Sequence, residues 1–259
     1  MEIQTTIIDN YLQGKPLCTK EDAWLFSNEP KADQRRKEVV EELKRQAVCT
    51  FSSFPTYNAP LFYQLFPSIH SNLSNFVIQL IVGSNTFYRK VTMKDKSYLV
   101  FDLIQCANMT PIVSQMMYLL LHTLHYEIAK TLLLTDYPLP LNSSYTAHLN
   151  HLSFIEGFAY YLSWNSDADH YRFHDDHYEQ QKEKAFGSLL NAFEVTSVSL
   201  QNAILTSLPK LSLWDQFPAT AALFYIDDCY RSEGIDAITH LYQRGWTSWI
   251  QTIFDLKEN

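Results

Sequence analysis

Two histidines and a carboxylate stand in an otherwise apolar run, LLLHTLHYEIAKTLLL, from Leu119 to Leu134. Imidazoles spaced by one helical turn can reach a single metal ion, and i, i+4 is the spacing zinc sites favour. Here His122 and His125 are at i, i+3, and the i+4 partner of His122 is Tyr126. At about 100° per residue, Val113, Met117, Leu120, Leu124 and Ile128 form one apolar stripe. Gln115, Tyr118, His122 and Tyr126 lie opposite, with His125 at the margin. Glu127 falls about 140° from His122, too far to share a site on an unbroken helix. The second face carries almost no charge, so it suits packing under another element or lining a cleft, with Gln115 and Tyr118 as cleft residues. By the simpler reading, both histidines are hydrogen-bonded members of a packing layer.

A second segment, HLSFIEGFAYYLSW (151–164), places Glu156, Tyr160 and Ser163 on one helix face. Gly157 and Ala159 leave room for a neighbouring helix to come close. The run Glu156-Gly157-Phe158-Ala159-Tyr160-Tyr161 resembles the Glu-Gly-x-Ala-x-Tyr helix that supplies the third ligand in gluzincin-type zinc metallopeptidases. In that family it follows a His-Glu-x-x-His helix by a few tens of residues, and LLHTLHYEIA stands in that place. FVIQLIVGS and SYLVFDLIQC match the small sheet whose edge strand lies beside the substrate, and the tail from Phe217 resembles the helical end of small bacterial zinc-dependent peptidases. The likeness covers roughly residues 60–250. It implies a zincin architecture, a zinc cofactor where the site works, and Tyr160 as part of the cleft.

The motif residues depart from that pattern. His122 falls on the first ligand and Glu156 on the third, but Thr123 stands at the general base and Tyr126 at the second histidine. Zinc peptidases need three protein ligands and an open position for water, and a carboxylate to take that water's proton. Threonine cannot be that base near neutral pH, and a phenol with a reference pKa of about 10 is a poor ligand. His125 is the substitute ligand candidate, with His148 and His151 further along. The resemblance therefore implies a degenerate, catalytically silent homologue that needs no cofactor and keeps a cleft for a peptide or protein segment. The alternatives are an active metal-dependent hydrolase using unorthodox ligands, and a helical interaction protein whose motif likeness is accidental.

DADHYRFHDDHYEQQ (167–181) offers a separate surface metal candidate. On a helix His170, His174 and His177 fall within about 60° of one another, a spacing that can chelate a transition metal. The segment is very polar and lacks an apolar shell, so a solvated helix start is the competing reading.

The elements that must position these groups follow from periodicity and punctuation. Residues 1–54 read as peripheral N-terminal helices, with Trp24, Leu25, Val39, Val40 and Leu43 at helical intervals and Pro30 dividing TKEDAWLFSNEP from KADQRRKEVVEELKRQAV. Residues 55–110 hold strands at 75–84 and 97–106, with a shorter one at Phe87–Thr92, as a small antiparallel sheet. Residues 111–259 are helical: a long helix from Pro111 to about Leu134, one at His148–Trp164, one at 179–206, and short helices with C-caps at Gly234 and Gly245. The expected class is α+β, mostly helical, in one domain over 1–259.

Composition narrows the function classes. The chain is 46% hydrophobic, enough for a core, and its formal net charge is −8 with no Lys/Arg run that lacks neighbouring acids. Nucleic-acid binding has little electrostatic support. MEIQTTIIDNYLQGK does not read as a signal peptide, and no apolar run is long enough to span a bilayer. Cys18, Cys49, Cys106 and Cys229 form no CxxC pair, which points to reduced thiols and a cytoplasmic setting. Nothing in the sequence fixes an oligomeric state.

Overall fold

The computed structural model describes residues 1–26, 28–164 and 166–255. Along the chain lie β1 (Glu2–Gln4), α1 (Thr6–Leu12), α2 (Lys37–Phe51), α3 (Ala59–Leu65), α4 (Ile69–Asn72), β2 (Phe76–Ile81), β3 (Tyr88–Met93), β4 (Lys96–Asp102) and α5 (Leu103–Met109). There follow α6 (Val113–Asp136), α7 (Tyr145–Ser163), α8 (Asp176–Phe193), α9 (Val198–Ser207), α10 (Phe217–Glu233), α11 (Ile235–Arg244) and α12 (Trp249–Asp255). The class is α+β with helix predominating. The chain divides into two compact units, Met1–Thr56 with Pro67–Leu124, and Tyr57–Phe66 with His125 onward.

The first unit is built on a four-stranded sheet in the order β1-β2-β4-β3. The expected antiparallel sheet is instead mixed: β1 pairs with β2 and β2 with β4 in parallel, and only β3 and β4 are antiparallel. The turn between β3 and β4 explains it. Lys94 and Asp95 both have positive φ, as a two-residue type I′ hairpin requires, and Met93 pairs with Lys96. The hairpin puts β3 on the outside and returns β4 alongside β2 in the same direction. All six residues of β2 are buried, as expected for a central strand with parallel neighbours covered on both faces. Helix α2 buries Val40, Leu43, Ala47 and Phe51 completely. TKEDAWLFSNEP does not form the expected helix. Only a 3-10 turn at Ala23–Leu25 appears, burying Leu25 alone, too little apolar surface to hold an amphipathic helix; Ser27 lies outside the described residues.

The strand expected over 97–106 ends at Asp102. Asp102 Oδ1 accepts the Gln105 N–H at 2.9 Å and caps α5, while its Oδ2 accepts the Ser84 N–H at 2.6 Å. Asp followed three residues on by Gln is a helix-start signal, and here it outweighs the alternating pattern. Burial pushes the Asp102 carboxyl up to about 6, against the pull of the backbone N–H groups it accepts from. A carboxyl raised above its unfolded value favours folding most below that unfolded value, about 3.9, and the advantage is lost as pH rises through 6. Urea unfolding followed between pH 4 and 7 should therefore lose the component of its pH slope due to this group in Asp102→Asn. An unaltered slope would contradict the assignment.

The second unit is a helical assembly around aromatic side chains. Phe154 and Phe158 of α7 meet Trp249 of α12 at ring separations of 5.1 and 5.7 Å. Helix α7 starts where Ser144 Oγ accepts the Ala147 N–H and lies along α10. At their crossing a Cβ added to Gly157 would stand 2.3 Å from Ala222 Cβ, which confirms the expectation that Gly157 admits a close neighbour. Gly234 and Gly245 end α10 and α11 with φ of 70° and 73°, as the sequence predicts. The helix expected over 179–206 is two helices: α8 stops at Phe193 and α9 starts at Val198. Between them the β-branched pair Val195-Thr196 is a poor helix former, and Ser197 is extended.

Asn58 ties the short α3 segment to the chain that follows α7. It takes a left-handed conformation with φ of 53° and is 2% exposed. Its backbone N–H donates to Asp167 Oδ1 at 2.6 Å, its side-chain amide to Leu162 O and the Tyr171 hydroxyl, and its Oδ1 accepts the Ala168 N–H.

Candidate functional site

The part of α6 that belongs to the second unit, His125–Asp136, presents Tyr126 and Lys130 one turn apart on one face. Helix α7 presents Glu156 and Tyr160 in the same manner. These four side chains come together. The Tyr126 hydroxyl donates to Glu156 Oε2 at 2.5 Å, and the Lys130 ammonium stands 2.7 Å from Glu156 Oε1. Lys130 also donates to the Tyr126 hydroxyl at 3.0 Å and lies 5.2 Å from the centre of its ring. The Tyr160 ring packs on that of Tyr126 at 4.6 Å.

The result is a closed polar ring in which each Glu156 oxygen has its own donor. Only 12% of the Glu156 side chain and 29% of the Lys130 side chain are exposed, so the pair is shielded enough to matter. Burial first, then the neighbouring Glu156 charge, push the Tyr126 phenol far above its usual range. Burial and Glu156 likewise push Tyr160 up to about 12. Both tyrosines are therefore neutral at ordinary pH.

The other sequence-predicted residues are placed as follows. His122 lies half-buried in the first unit with its ring stacked on Tyr118, 5.8 Å between centres, and Thr123 is half-buried beside it in sequence. Gln115 is exposed, and its Oε1 accepts the Thr110 hydroxyl at 2.5 Å. His125, the substitute ligand, is fully buried. Its Nε2 accepts the Tyr57 N–H at 3.3 Å, and the rings of Tyr57 and Phe62 stand against it. That nitrogen's lone pair is thus committed inside the second unit.

His148 Nδ1 is bonded to Ser144 O, and His151 Nε2 to Tyr137 O at 2.8 Å. Burial lowers the His151 pKa, which suits a neutral structural imidazole. The surface histidines do not share one helix: His170 ends a 3-10 turn, His174 is in the loop, and His177 is in the first turn of α8. Among the described residues no group of three or more His, Cys, Asp or Glu is arranged to hold a metal ion. All four cysteines are free, and no described helix is long and apolar enough to cross a membrane.

Sequence reasoning missed Lys130. The signal was present, because YEIAK sets a cation one turn after Tyr126, but Lys is no zinc ligand and a search for ligands passes over it. Asn58 was missed as well; an Asn before Ala-Pro, able to take positive φ, was its only mark.

Fold and site together define a mostly helical α+β protein with a carboxylate–phenol–ammonium ring between two of its helices. Comparison with family models, with curated proteins and with solved structures finds no match to this chain.

Proposed function

We propose that this chain is a catalytically silent, gluzincin-like homologue that acts as a cytoplasmic binding protein for an extended peptide or protein segment. The arrangement of Glu156 carries the reading. A carboxylate whose two oxygens face an ammonium and a phenol is a poor place for a divalent cation, because Lys130 already supplies the positive charge and would repel a second one. Tyr126, at the position of the second histidine ligand, is a neutral hydrogen-bond donor to the carboxylate. Thr123, at the general-base position of the motif, has a hydroxyl and no carboxylate with which to take a proton from water near neutral pH. The residues that meet at Glu156 do not fit zinc.

Binding is assigned to β3. It lies at the edge of the sheet, five of its six residues are half-buried and one is exposed, and an edge strand can pair with an extended chain through main-chain hydrogen bonds. Free thiols at all four cysteines suit a reducing compartment. The test is zinc uptake and peptide cleavage by the full chain beside Glu156→Ala: neither is expected from either protein.

A further inference from the structure

Among the described residues nothing covers the outer face of α9, in the second unit. Seven of its ten residues are exposed and none is fully buried. Gln201, Ile204 and Leu205 turn half-buried toward the rest of the unit, and Leu208 just beyond them is buried. On the helical wheel Ser199, Ala203, Thr206 and Ser207 then point away from it. Leu200 stands beside them with 57% of its surface exposed, and Leu211 follows at 40%. Val198 and Leu190 add two more exposed apolar side chains in the same stretch of chain. Exposed apolar residues scattered singly need no explanation, but a cluster marks a contact surface.

The charges around α9 suit one partner above others. From Val195 to Pro209 the sequence has no Asp, Glu, Lys, Arg or His, within a chain of net charge −8. Glu194 stands immediately before this stretch and Lys210 immediately after it. Both are exposed, and their side chains make no hydrogen bond or ion pair with a described residue. Gln201 Nε2 donates to Val195 O at 2.7 Å, which holds the Glu194 end of the chain against the first turns of the helix. An acid at one end and a base at the other make this face complementary to itself when two copies meet antiparallel across a two-fold axis.

We infer that α9 is the contact of a weak homodimer, in which two copies of the helix cross antiparallel about an axis passing near Ala203. Glu194 of each copy then meets Lys210 of the other. Leu200 of each copy enters the groove that Ala203, Thr206, Ser207 and Leu211 line on the other, as a ridge fits a groove. A parallel pairing would set Glu194 against Glu194 and Lys210 against Lys210. Net negative charge opposes self-association elsewhere on the chain, and this uncharged strip escapes that repulsion. A membrane is a poorer occupant, because an interfacial helix carries basic residues on its polar face and α9 has none. One helix about 15 Å long covers less than the roughly 800 Å2 per partner of a standard interface, so the dissociation constant is on the order of 10–100 µM.

Sedimentation equilibrium of the full chain between about 5 and 500 µM tests this, and the average mass should rise from one chain toward two across that range. Ala203→Glu and Ala203→Lys each place a like-charged pair on the axis, and each should weaken association at least about tenfold. Mixed in equal amounts, the two variants should associate again. Lys210→Glu should weaken the dimer about tenfold, and adding Glu194→Lys should restore it. All three positions are exposed, so the variants keep the fold, and coincident melting curves check this. A parent chain that stays monomeric throughout, Ala203 variants that associate as the parent does, or a mixture no tighter than either variant alone would each overturn the proposal.

Discussion

Replacing Lys130 with methionine should lower the stability of the protein by about 3 kcal/mol, the lower end of what breaking a buried ion pair costs. The reason lies in what is left behind. Methionine keeps the apolar stem that covers the Tyr126 ring but removes the charge 2.7 Å from Glu156 Oε1. A largely buried carboxylate then retains one phenol donor and no cation. Partial exposure of Lys130 holds the figure at the low end. Adding Glu156→Gln to Lys130→Met should restore most of the loss, because the amide needs no counter-charge and still accepts from Tyr126. Chemical denaturation of the four proteins in this cycle measures the coupling. Single losses that simply add would mean that the ion pair contributes little.

Leucine at Gly157 should cost about 4 kcal/mol or prevent folding altogether. Overpacking a well-filled contact usually costs 1–3 kcal/mol, and here the first added atom already stands 2.3 Å from Ala222 Cβ. That atom cannot swing aside, since it belongs to a fully buried alanine on α10. The gain in helix propensity over glycine, about 1 kcal/mol, is too small to offset it. Because α7 also carries Glu156, a partly folded Gly157→Leu protein should lose the Glu156–Lys130 contact along with the α7–α10 packing. Thermal melting gives the stability, and a melting temperature equal to that of the parent chain would refute the close approach.

The long apolar helix α6, the helix α7, the buried strand β2 and the shorter strand β3 were legible in the sequence, because periodicity and punctuation are local. The parallel pairing of β1 with β2 was not. Three residues, Glu2–Gln4, carry no strand pattern of their own and are ordered by a partner more than seventy residues away. At the site, the motif reading drew attention to Tyr126, Glu156 and Tyr160, which do come together. The link that closes them, Lys130, follows from the same-face rule applied to Tyr126 and not from ligand chemistry. The histidines were the visible residues and proved the less informative ones. His125 and His151 are bonded to backbone groups inside the second unit, a role that imidazoles in an apolar helix fill without any sequence mark.

Zinc titration of the purified full chain at neutral pH, read by calorimetry and by metal content after dialysis, bears most directly on the claim that Lys130 and Tyr126, both bonded to Glu156, leave that carboxylate unfit for a metal. The expected result is less than a tenth of an equivalent of bound zinc and no difference between the parent chain and Glu156→Ala. One equivalent of zinc retained by the parent chain and lost in Glu156→Ala, with peptide cleavage lost alongside it, would contradict the account.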